Sequence, residues 1–258
     1  MKRLALAAAL AFASACAHAA IVEKAIEYTH GSKVMKGYVA YDDAKAGPRA
    51  GVLVVQEWWG VNDYIKQRTR QMAEMGYVAF APDLYGDGKV TSDPKVASAW
   101  SGDTRKDYAD WVGRAKAGLE ILKRQPGVDA NRIGAMGFCF GGSTVLALAY
   151  SGEPLKGAVT FHGGLFAPSE QQRAAIRTPI VILHGEKDTF VKPETITQMK
   201  EALDAARVDW FMVTYANAVH TFSNPDADSY KIPGVAYNEK AAVRSWDEMK
   251  RFFEVQLK

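Results

Sequence analysis

Cysteine is nearly absent from the chain: its 258 residues include two, Cys16 and Cys139, so no disulfide framework can carry the fold. An excess of one charge is also missing. The 32 lysines and arginines face 29 aspartates and glutamates, and no basic run exceeds three residues. This lacks the electrostatic footprint of a nucleic-acid or membrane surface. Internal repeats and low-complexity segments are absent too, which excludes solenoids and disordered linkers. No metal and no cofactor is expected. What is present is 48% apolar and 24% charged residues, the composition of a globular protein with one large α/β domain and a substantial core.

Met1 to Ala19 stands apart from the rest. Lys2 and Arg3 precede an apolar stretch from Leu4 to Ala13, and Ala17-His18-Ala19 offers a small-residue cleavage site. This pattern predicts a secretory signal peptide and an exported, periplasmic or secreted protein. Cys16 leaves a lipoprotein variant open, although Ala13 is not the bulky aliphatic residue expected three positions before a lipidated cysteine. Cleavage removes Lys2, Arg3 and Cys16, lowering the formal charge from +3 to +1 and leaving Cys139 as the single cysteine. A free thiol in an oxidising compartment is a hazard unless it has chemistry to perform.

The remaining residues, 20–258, read as a single domain. Alternation over Ala25 to Tyr41, broken at Gly31-Ser32, predicts an antiparallel hairpin. His30, near its turn, reads as a solvated loop histidine. Gly51 to Gln56 is a continuous apolar run of the kind buried on both faces of a parallel sheet. Asn62 can cap a helix running to Met75, Gly76 can close it, and Tyr77 to Ala81 is the next strand. Asp87 to Asp103 reads as an irregular excursion above the sheet edge. The spacing of Tyr108, Trp111, Ala115, Leu119 and Leu122 predicts an amphipathic helix. Strands are predicted over Ile133 to Phe138, Lys156 to Phe161, Pro179 to Leu183 and Asp209 to Tyr215, and helices over Pro193 to Ala206 and Glu239 to Leu257. The alternation predicts a mostly parallel central sheet with helices on both faces, whose ligands lie beyond the carboxyl ends of the strands.

One stretch concentrates the chemistry. Ile133 to Val145 reads I-G-A-M-G-F-C-F-G-G-S-T-V: apolar strand, sharp turn, helix. Gly137-x-Cys139-x-Gly141 is the nucleophile-elbow spacing with cysteine as the nucleophile. The opening turn of the helix favours a thiolate. A buried cysteine can also be a small core hydrophobe, so its partners decide.

A cysteine nucleophile needs a base, and the base needs an orienting acid. In open α/β hydrolases these follow in the chain order nucleophile, acid, histidine. Three histidines come after the elbow. No strand-end acid precedes His162, and His184 precedes the best acid, Asp188. His220 follows it. The order Cys139, Asp188, His220 is the one the chain accommodates. The oxyanion hole is expected from the backbone N–H groups of Phe140 and Trp58.

Gln56-Glu57-Trp58-Trp59-Gly60-Val61-Asn62, Ala81-Pro82-Asp83-Leu84-Tyr85-Gly86, Gly137-Phe138-Cys139-Phe140-Gly141-Gly142, His184-Gly185-Glu186-Lys187-Asp188 and Ala218-Val219-His220-Thr221-Phe222 resemble the dienelactone hydrolase family of α/β hydrolases, in order and over nearly all of the mature chain. The resemblance implies the α/β-hydrolase fold and the same Cys139, His220, Asp188 set. It also implies that Glu57 lies beside the nucleophile and takes the thiol proton when substrate enters. Family members that hydrolyse dienelactone hold its carboxylate with arginines, one of them four residues after the catalytic histidine. Asn224 stands there in this chain, and Arg105 is the nearest candidate for another clamp. Trp59 and Asn224 are further candidate substrate contacts.

The expected function is therefore hydrolysis of a small carboxylic ester or lactone by a monomer with no macromolecular partner. Two alternatives stay open: a catalytically silent ligand-binding protein, and a thioesterase or polymer esterase.

Overall fold

The computed structural model describes residues 21–258; the predicted signal segment and Cys16 lie outside the described residues. Two strands, β1 (Ile21–His30) and β2 (Lys33–Asp42), pair antiparallel across a turn at Gly31, in register from Ile21 opposite Asp42 to His30 opposite Lys33. After β3 (Arg49–Val55) the chain alternates: α1 (Asp63–Glu74), β4 (Val78–Ala81), α2 (Pro94–Lys106), α3 (Tyr108–Lys123), β5 (Val128–Phe138), α4 (Phe140–Tyr150), β6 (Gly157–Phe161), α5 (Glu170–Ala175), β7 (Ile180–Gly185), α6 (Pro193–Ala205), β8 (Trp210–Tyr215) and α7 (Glu239–Gln256). The eight strands form one sheet in the order β1-β2-β4-β3-β5-β6-β7-β8. It is parallel from β4 to β8, and the hairpin joins antiparallel at one edge.

The period-2 geometry of each central strand splits its apolar side chains between two cores. Leu53 and Val55 of β3, Ile133 and Ala135 of β5 and Ile180 and Ile182 of β7 pack on the side of α3, α4 and α6. Their neighbours Val52, Val54, Met136, Phe138, Val181 and Leu183 pack on the other side, against α1 and α7. This is the predicted doubly covered α/β-hydrolase architecture.

Two local expectations are corrected. The stretch read as irregular holds helix α2, capped by Asp93, whose carboxylate accepts from the Lys95 N–H at 2.8 Å, and opened by Pro94. Its buried positions are Ala97, Ser101 and Thr104, too small and too polar to make an apolar periodicity. His30 is not a free loop histidine: its Nε2 lies 2.9 Å from Asp110 Oδ1, tying the hairpin to α3. The short α5 and a 3-10 turn at Ala227–Tyr230 add two elements for which no expectation was stated.

Candidate functional site

The carboxyl ends of β3, β5, β6 and β7 converge on one cleft of about 260 Å³. Cys139 sits at its base, at the hinge between β5 and α4, with φ 52° and ψ −114°. This left-handed-side backbone is costly for a residue with a Cβ. The close packing on either side sustains it. A Cβ on Gly137 would collide with the Gly141 carbonyl, and one on Gly141 with the carbonyls of Val55 and Gln56. Only glycine fits at either place, which is the physical content of the G-x-C-x-G spacing. The Cys139 N–H donates to the Phe161 carbonyl at 3.1 Å, and its carbonyl accepts from the Ser143 N–H at 3.2 Å.

The Phe140 ring is stacked between Tyr85 and Trp111, at 5.7 Å and 6.0 Å. The Trp58 carbonyl accepts from the Tyr85 hydroxyl at 3.0 Å. The N–H groups of Trp58 and Phe140, both residues of the cleft wall, find no protein acceptor among the described residues. Two backbone donors therefore remain available beside Cys139.

Asp188 and His220 meet from different loops. Asp188 Oδ2 lies 2.8 Å from His220 Nδ1, and Oδ1 accepts from the Phe190 N–H at 2.9 Å. The Asp188 side chain is fully buried. His220 is fixed through its backbone, which donates to the Gly234 carbonyl and accepts from the Ala236 N–H. Burial alone would depress its pKa, but negative charge on Cys139 and the bond to Asp188 push it up to about 10. The imidazole is thereby biased toward its cationic form.

Glu57, two residues past the end of β3, is 1% exposed and is not among the residues of the cleft wall. Its Oε2 accepts from Asn224 Nδ2 at 2.8 Å, while Oε1 has no hydrogen-bond partner. Burial raises its pKa to about 7, opposed by the Asn224 bond and by the positive charges of His220 and Arg68. No hydrogen bond joins Glu57 to Cys139.

Asn224 departs from its expected place at the substrate. It is fully buried, absent from the cleft wall and occupied on both sides: Nδ2 also reaches the Tyr230 hydroxyl at 3.0 Å, and Oδ1 accepts from the Asp226 N–H at 2.9 Å. It holds the glutamate and has no face toward a substrate. Trp59 does line the cleft, packed between Trp58 at 4.9 Å and Tyr230 at 4.8 Å. Arg105 reaches the wall from α2, its guanidinium 5.6 Å from the Phe140 ring centroid.

Several wall residues were not singled out from sequence. Phe190 stands two residues past Asp188 and so had a positional signal. Tyr230, Ile232 and Val235 arrive from the chain after β8, and nothing in the sequence marks them. Among the described residues no cluster of three potential metal ligands occurs.

The comparisons with known proteins agree with this architecture. Residues 35–257 match the dienelactone hydrolase family. A Salmonella typhimurium protein named "Putative carboxymethylenebutenolidase" is 32% identical over 228 residues, spanning 85% of this chain and 82% of its own. A dienelactone hydrolase-like promiscuous phosphotriesterase from metagenomic libraries superposes with a TM-score of 0.90 at 38% identity, covering 93% of this chain and all of its own. Pyrococcus horikoshii acylaminoacyl peptidase shares the fold alone, with a TM-score of 0.72 at 14% identity over 92% of this chain and 42% of its own. The chain belongs to the dienelactone hydrolase family and is a hydrolase of that type.

Proposed function

We propose that the protein hydrolyses small, largely uncharged carboxylic esters or lactones through a covalent acyl-cysteine. The observation that carries this reading is the placement of Cys139 in one cleft with the hydrogen-bonded His220–Asp188 pair and two unengaged backbone N–H groups. The Cys139 thiolate attacks the carbonyl carbon, and the N–H groups of Trp58 and Phe140 take the developing oxyanion. His220 gives its proton to the departing alkoxide. A water then enters, His220 removes its proton, and the hydroxide attacks the thioester. Collapse of that second intermediate returns the thiolate and releases the carboxylic acid. Asp188 keeps Nδ1 of His220 protonated throughout.

Family resemblance assigns Glu57 the role of taking the thiol's proton when substrate enters, the resting group being the thiol. A buried carboxyl with a bare Oε1 and a pKa lifted to about 7 suits a group that accepts and returns a proton near neutrality.

The cleft also bears on the substrate. Trp58, Trp59, Phe140, Phe190, Ile232 and Val235 present mostly apolar surface, and apart from His220 Arg105 is the one basic residue among the lining side chains. Asn224 provides no carboxylate clamp, so an ester or lactone without a free carboxylate is favoured. The sequence of Met1 to Ala19 supports an exported enzyme. A second activity, on neutral phosphotriesters, is favoured by the 38% identical structural relative named for it. Phosphotriesters would present a phosphoryl oxygen to the same two donors.

The deciding assay compares a chromogenic ester, a dienelactone and a neutral phosphotriester on the mature protein and on Cys139→Ala. Ester turnover that Cys139→Ala abolishes, with little on the anionic dienelactone, is expected. Full turnover by that variant would sink the mechanism, and a preference for dienelactone would sink the substrate class.

A further inference from the structure

His162 is a fully buried histidine that the mechanism above leaves unused. It follows β6, is completely buried and adopts φ 40°, a left-handed backbone that a histidine takes at a cost. The two residues after it, Gly163 and Gly164, would adopt that geometry without strain. The histidine is held there by what its side chain reaches.

Its ring packs edge-on against the His220 ring, with centroids 5.4 Å apart and planes at 69°, and against Phe222 at 5.1 Å. Nε2 lies 2.7 Å from Ser223 Oγ, and Ser223 Oγ lies 3.0 Å from the Tyr64 hydroxyl on α1. The Ser223 carbonyl accepts from Arg68 Nη2 at 2.7 Å. Thus one side chain from β6 touches the His220 ring and also grips, three residues further on, the loop that carries it. Next to His220, Thr221 sits at φ 62°, so that loop is itself strained and needs to be held.

Nδ1 of His162 has no partner. Placing the ring proton on Nε2, donating to Ser223 Oγ, leaves no buried N–H unsatisfied. Burial and the neighbouring positive charges of His220, Arg68 and His184 keep this ring neutral. A neutral ring can lie against an imidazolium without repelling it.

We infer that His162 is a positioning residue: through its ring and its bond to Ser223 it fixes the plane of His220 so that the imidazole faces Cys139. The inference rests on the Cys139–His220 reading above, and it predicts a defect in the chemical step and in the ion pair, with substrate binding spared.

The test uses His162→Phe, which keeps a ring and loses the bond, His162→Gln, which retains a donor for Ser223, and Ser223→Ala. The readouts are kcat and KM on the chromogenic ester and the pH titration of the thiolate's ultraviolet absorbance, which needs no turnover. For His162→Phe, kcat should fall about tenfold or more with KM within about twofold, and the thiolate midpoint should move to higher pH. Ser223→Ala should move both in the same direction, and His162→Gln should recover part of the loss. Wild-type kcat with an unshifted thiolate titration in His162→Phe would overturn the inference. So would a loss of activity that tracks lost thermal stability while the titration stays put. If His162→Phe does not fold, Ser223→Ala decides by the same criteria. A wild-type protein with no thiolate signal that Cys139→Ala removes would instead overturn the triad reading, and this inference with it.

Discussion

Asn224 and Glu57 are joined by a 2.8 Å bond inside the protein, and among the described residues it is the only hydrogen bond the glutamate makes to a side chain. The amide favours the ionised carboxylate, while burial disfavours it. Asn224→Ala therefore removes a stabiliser of the charge and drives the Glu57 pKa upward from about 7. If Glu57 must be ionised to receive the thiol proton, the acidic limb of the kcat/KM profile moves to higher pH in this variant. An unmoved limb would exclude Glu57 from the reaction. Phe190 calls for a different experiment. The residue is 55% exposed, yet its ring lies 4.9 Å from that of His220 and lines the cleft. Phe190→Ala keeps the backbone N–H to Asp188 and removes apolar wall, so KM for aryl esters should rise several-fold while stability stays within about 0.5 kcal/mol. A raised KM for small alkyl esters of equal size would argue against contact with the aryl group.

At the scale of elements, the site depends on how closely α4 approaches the end of β3. Gly141 lies against the carbonyls of Val55 and Gln56, so its lack of a Cβ sets the separation between the Trp58 and Phe140 N–H groups. Gly141→Ala should cost about 1–3 kcal/mol, because backbone on both sides must move, and should lower kcat beyond what the lost stability explains. Chemical denaturation and kinetics on the folded fraction would measure the two effects separately; normal kcat in a destabilised variant would mean that the donor spacing is uncritical. This part of the fold was legible because its constraint is local. The glycines, the apolar β5 run and the helical continuation all fall within thirteen consecutive residues, Ile133 to Val145. The Asp188 and His220 positions were legible through topology, since strand ends on a parallel sheet share one edge. Helix α2 was not, because its inner face is alanine, serine and threonine and gives no hydrophobic period. Neither was the place of Asn224. Its spacing from His220 resembles a substrate contact, but the turn at Thr221, with φ 62°, directs the following residues inward. No local pattern announces that reversal.

Across the whole molecule, the site places charge where the fold would rather have none. Glu57 has an ordinary pKa of 4.5 and one of about 7 in the native state, where it is 1% exposed. Between those values the native protein holds a proton that the unfolded chain has lost, so stability falls as pH rises through this window and stays reduced above it. The shift corresponds to ~3 kcal/mol at neutral pH, a large fraction of the net stability of a domain. Glu57→Gln removes the titration and keeps an oxygen for Asn224. The variant should therefore be more stable than wild type by up to ~3 kcal/mol at pH 8, and by little near pH 4.5, where the wild-type carboxyl is protonated in the native state. Urea midpoints at the two pH values test this directly, and a difference independent of pH would show that some contact other than the charge is responsible. If the gain appears while ester turnover falls, the carboxylate is retained for its chemistry at the expense of the fold.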